Sequence, residues 1–113
     1  MSYQHKDLAK GRWAEMPFVE QMANIGSEVE RAIKWKEKGN ENYSNKAFER
    51  ALELLDLTLD SHRSFPRLKE VARLREAVVD YFFGDNRFKS TNELFRKYFL
   101  AFAYAARRNY EIK

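Results

Sequence analysis

Apolar residues recur at intervals of three and four in four stretches of the chain, and no stretch alternates at period two long enough to suggest a strand. The first stripe is Phe18, Met22, Ile25, Val29, Ala32 and Ile33, one face of an amphipathic helix. It opens at Met16 or Pro17, where a proline suits a first helical turn. Ala23, Gly26 and Ser27 flank Ile25, and residues this small let another backbone approach closely. The stripe continues through Trp35, Gly39 and Tyr43. The first helix is therefore expected to pass through Gly39 and turn at Ser44-Asn45-Lys46, with a glycine stop at Gly39-Asn40 as the alternative. A second helix follows from about Lys46 to Asp60, with Phe48, Ala51, Leu52, Leu55 and Leu59 inside and Leu54, Leu57 and Thr58 widening its face.

Ser64 reads as the N-cap of a third helix, with Pro66 in its first turn. Leu68, Val71, Leu74, Val78 and Tyr81 belong to its buried face, and Gly84 ends it. Ser90 and Glu93 match a capping box at the start of a fourth helix. From Tyr98 to Ala106 that helix is apolar all round, so it is expected to be covered on several sides or to lie in a contact between copies. Tyr98, Phe102 and Ala105 are the candidate oligomer contact. Four helices with short links predict an all-α, antiparallel up-down four-helix bundle in one domain, with residues 1–15 as an N-terminal arm.

Within this pattern, Trp35, Gly39, Tyr43, Phe48, Ala51 and Leu55 resemble the aromatic, small and apolar positions of one tetratricopeptide (TPR) helical hairpin. One repeat length later Arg73 stands at the Gly position and Asp85 at the Ala position, so there is no second copy. A single repeat cannot bury its own face. The resemblance implies a helical hairpin, and no peptide-binding residues carry over, because those depend on a groove between adjacent repeats. The whole chain is also similar to small uncharacterised prokaryotic helical-bundle proteins, a likeness that brings no activity with it.

Length and charge refine this picture. A chain of 113 residues makes one ordinary domain and needs no disulfide or metal to bury a core. It has no cysteine, which excludes thiol catalysis and cysteine-held metals and fits a cytoplasmic protein. Its longest nearly uncharged apolar run is the nine residues Tyr98 to Ala106, against about 20 for a membrane span. No membrane partner is expected. Met1 to Leu8 lacks an apolar core of signal-peptide length. The net charge of +4 is uneven: residues 1–60 carry 9 Lys/Arg and 11 Asp/Glu, and residues 61–113 carry 12 and 6.

Signatures of chemistry are sparse. The two histidines, His5 and His62, lie in the arm and in a loop as solvated or capping residues, and neither belongs to a Glu-x-x-His pair of the di-iron bundles. Neither GxGxxG nor GxxxxGK[ST] occurs, and no catalytic residue, metal or cofactor is expected. Asn24, Asp80, Tyr81 and Asn86 form a candidate polar pocket, with turn chemistry at Gly84-Asp85-Asn86 the plainer account. Arg67, Arg73, Arg87, Lys89, Arg107 and Arg108 are candidate phosphate contacts. The expected function is a non-enzymatic interaction or assembly module that forms a homo-oligomer or binds another protein. The rival is a nucleic-acid-binding module using residues 61–113.

Overall fold

The computed structural model describes residues 11–112, and their side chains through Arg108. The chain is all-α, with no strand among the described residues. Among the described residues it forms five helices rather than the expected four: α1 (Trp13–Glu15), α2 (Phe18–Glu37), α3 (Glu41–Ser61), α4 (Phe65–Phe83) and α5 (Asn92–Ile112). The additional element α1 is a single turn. Residues 1–10 of the anticipated arm, with His5, lie outside the described residues. The remainder of the arm joins the body, because the Trp13 ring is buried.

α2 is the spine. Its buried face is wider than one stripe: Gln21, Glu28 and Ala32 meet α3, while Gly26 meets α5. Antiparallel packing of α2 on α3 is fixed at both ends. The Ser44 hydroxyl donates to the Ala32 carbonyl at 2.8 Å, and Gln21 Nε2 donates to Ser61 Oγ at 3.3 Å. α5 runs antiparallel along the other side of α2. Phe18 meets Phe102 near one end, with ring centroids 6.1 Å apart. Arg96 reaches Glu30 at 3.0 Å and Glu37 at 3.1 Å near the other. α4 leans on α3, where Phe48 packs against Phe83 at 4.6 Å and Arg75 bonds Asp56 at 2.8 Å.

Two element boundaries depart from the periodicity. The first helix ends at Glu37, not near Tyr43; Gly39 has φ +78° and stands in the turn, and Asn40 caps α3 by accepting the Tyr43 N–H at 3.0 Å. A positive φ costs glycine nothing. The stripe reads as continuous because Trp35 and Tyr43 face each other across the turn, edge to face, with centroids 4.8 Å apart. Ser44, expected in the turn, is instead a buried helical residue. Before α5, Thr91 rather than Ser90 caps the helix: its Oγ1 accepts the Leu94 N–H at 3.0 Å. The Ser90 backbone is occupied by both ends of the Asn86 amide.

Candidate interaction surface

The described surface offers two apolar seams between helices. Because α4 follows α3 and α5 follows α2, the two outer helices meet mainly through side chains. Tyr81 packs on Phe95 at 5.2 Å near the connecting loop, and Tyr98 donates its hydroxyl to Glu70 Oε2 at 2.7 Å farther along. Between them lies a groove of about 520 Å³ with Leu74 and Phe95 at its base, Lys69 and Arg73 on the α4 wall, and Leu94 and Tyr98 on the α5 wall. Burial and the Glu70 carboxylate together push the Tyr98 phenol well above its ordinary pKa of 10.0, since both disfavour the phenolate.

A second groove, of about 490 Å³, lies between α2 and α5, with Ala23, Gly26 and Ser27 on one wall and Leu100 and Ala103 on the other. Phe99 fills its depth: a Cβ placed on Gly26 would stand 2.8 Å from Phe99 Cβ. The small residues around Ile25 therefore admit a ring, where a neighbouring backbone was anticipated. Above this groove the outer face of α5 is bare, with Leu100 67% and Tyr104 68% exposed. Leu94, on the other flank of the helix, is 55% exposed.

The structure disperses the anticipated polar pocket. Asp80 accepts the backbone N–H groups of Arg87 and Phe88, at 2.9 and 3.1 Å. Asn86 has φ 53° and closes the loop onto Ser90, and Tyr81 donates to Asn92. These three residues organise the α4–α5 connection. Asn24 does not join them. Its amide bonds the Glu20 carbonyl at 2.8 Å, whereas Tyr81 lies beside Lys36, about 18 Å farther along α2 at the helical rise.

The candidate phosphate contacts do not form one patch. The Arg67 guanidinium sits 5.0 Å from the Phe18 ring at one end of α4. Arg73 lines the α4–α5 groove, and Arg87 and Lys89 lie in the loop beyond the other end of α4. Arg107 and Arg108 are exposed toward the end of α5. Of the candidate oligomer contacts, Tyr98 and Phe102 turn inward and meet edge to face with centroids 5.4 Å apart, and Ala105 is half-buried.

One polar cluster was not anticipated. The Trp13 indole donates to Thr58 Oγ1 at 2.9 Å, and Gln21 Nε2 donates to the Trp13 carbonyl at 2.7 Å. His62 Nε2 stands 2.6 Å from Gln21 Oε1, with Phe18 edge-on to its ring. His62 is thus half-buried and partnered rather than solvated, and it stands at the C-cap of α3, the capping place that was the other expectation. Burial lowers its pKa from 6.5, and the neighbouring Arg67 lowers it further. Spacing held the signal for one missed member: Gln21 stands four residues before Ile25, in register with the buried stripe.

Among the described residues no group of His, Asp or Glu side chains is placed to hold a metal ion, and no helix is long and apolar enough to cross a membrane. No protein-family model, curated protein or solved structure matches the chain.

Proposed function

We propose that the protein is a non-enzymatic assembly module that associates with itself. Its four long helices serve as an antiparallel up-down bundle that presents α5 as the docking element, in a cytoplasmic setting in keeping with a chain that lacks cysteine. The observation that carries this reading is the exposure of Leu100 and Tyr104 on the outer face of a helix whose inner face is already buried. Scattered single apolar residues on a surface need no explanation, but Leu100 lines the α2–α5 groove and Tyr104 follows one turn on, and apolar residues joined into a patch are what a docking surface offers. Self-association that favours the folded state raises the unfolding midpoint with protein concentration. Thermal unfolding across an about hundredfold dilution series is expected to show this rise. A midpoint independent of concentration, together with a single-chain mass, contradicts the proposal.

The rival role in nucleic-acid binding rests on the basic residues of 61–113. Some of these are held within the molecule, as Arg75 is by Asp56 and Arg96 by Glu30 and Glu37, and the candidate phosphate contacts are spread over α4, the loop after it and α5. A gel-shift titration at low salt tests it, since phosphate-driven binding weakens steeply as salt rises.

A further inference from the structure

We infer that the partner of α5 is α5 of a second copy, laid antiparallel across a two-fold axis. This deepens the assembly reading and rests on it. The outward stripe of α5 is Glu93, Lys97, Leu100, Tyr104 and Arg107, spaced four, three, four and three, and all five residues are exposed. This spacing keeps all five on one face of the helix, with Leu100 and Tyr104 as its apolar members. Leu100 stands at the middle of the stripe. An acid occupies its N-terminal end, and the bases Arg107 and Arg108 occupy its C-terminal end.

The order of charges selects both the partner and the direction. Two parallel copies would set Glu93 against Glu93 and the bases against bases. Two antiparallel copies crossing at Leu100 set Glu93 of one opposite Arg107 and Arg108 of the other, twice, by symmetry. The same register brings Lys97 of one copy to Tyr104 of the other, a cation–aromatic pairing, and Leu100 to Leu100. The stripe is therefore its own complement only when reversed, as an isologous two-fold contact requires. The α2–α5 groove borders Leu100 and widens the seam beyond a single helix line.

The test is a set of charge and size changes on this exposed stripe, read as mass in solution by light scattering. Leu100→Glu is expected to leave the helical content unchanged and weaken self-association at least about tenfold, since it sets two carboxylates at the axis. Glu93→Arg is expected to weaken it by a similar factor, and Glu93→Arg combined with Arg107→Glu and Arg108→Glu to restore it. Leu100→Cys, in a chain with no other cysteine, is expected to form an oxidised dimer. Wild-type self-association that Leu100→Glu does not weaken overturns this interface and leaves the assembly reading standing. Failure of the triple exchange to restore what Glu93→Arg removes overturns the antiparallel order. A wild-type protein that stays a single chain overturns both.

Discussion

At the scale of single residues, Gly26 and Gly39 make opposite demands. Gly26 lies in the middle of α2, where glycine costs about 1 kcal/mol relative to alanine. It is held there by space, because an added Cβ would meet Phe99 Cβ, Cγ and Cδ1 at 2.8 Å. Gly26→Ala is therefore expected to destabilise the fold by about 1–3 kcal/mol in denaturant unfolding, as overpacking does, in spite of its better helix propensity. Gly39 has open space around it and φ +78°, so its demand is conformational. Gly39→Val is expected to cost about 1–2 kcal/mol, and Gly39→Asn clearly less. The close approach at Gly26 was legible from the cluster of small residues about Ile25. The turn at Gly39 was legible only as the alternative reading, because Trp35 and Tyr43 touch across it and so extend the helical period through a break in the helix. Position 58 makes a third kind of demand: Thr58→Val keeps the shape but leaves the buried Trp13 indole N–H without its acceptor. A loss of about 1–3 kcal/mol is expected.

At the scale of elements, the four long helices were legible because their stripes are strong, while α1 was not, since one turn has no period to detect. Its anchoring depends on side chains brought together from three elements: Trp13, Gln21 and Thr58, with His62 beyond the end of α3. This joint has a pH dependence. The folded state lowers the His62 pKa below 6.5 and so favours the neutral ring. The resulting stability is fully present above pH 6.5 and is lost as pH falls from there through the folded-state value. Urea unfolding is expected to show the loss in that window, and His62→Gln to remove this component of the slope. Tyr98 sets the opposite limit. Its phenol pKa is raised above 10.0, so its contribution is complete below pH 10.0 and is lost as pH rises beyond it. Tyr98→Phe is expected to cost about 1 kcal/mol at neutral pH and to leave Glu70 without its bond, loosening α4 from α5. Arg96 fastens α5 to α2 through two carboxylates at the surface. Arg96→Gln is expected to lower thermal stability more at low salt than at high salt, since screening weakens exposed ion pairs.

At the scale of the molecule, the uneven placement of charge and apolar residues is legible in the sequence alone. The all-round apolar run from Tyr98 to Ala106 points to α5 as the helix with too much to cover. Periodicity does not show which residues are left over. Tyr98 and Phe102 turn inward to the seam, and Leu100 and Tyr104 remain outside, a division set by where α5 lies on α2. The polar pocket failed for a related reason: Asn24 and Asp80 look alike as isolated polar residues, and only the antiparallel course of the chain sets them at different levels. The central claim is that this molecule covers α5 with a second copy. Sedimentation equilibrium over a broad range of protein concentration tests it most directly. The expected result is a mass that rises from that of one chain, 13.5 kDa, toward twice that value, and a rise that Leu100→Glu abolishes. A mass that stays at one chain throughout the range contradicts it.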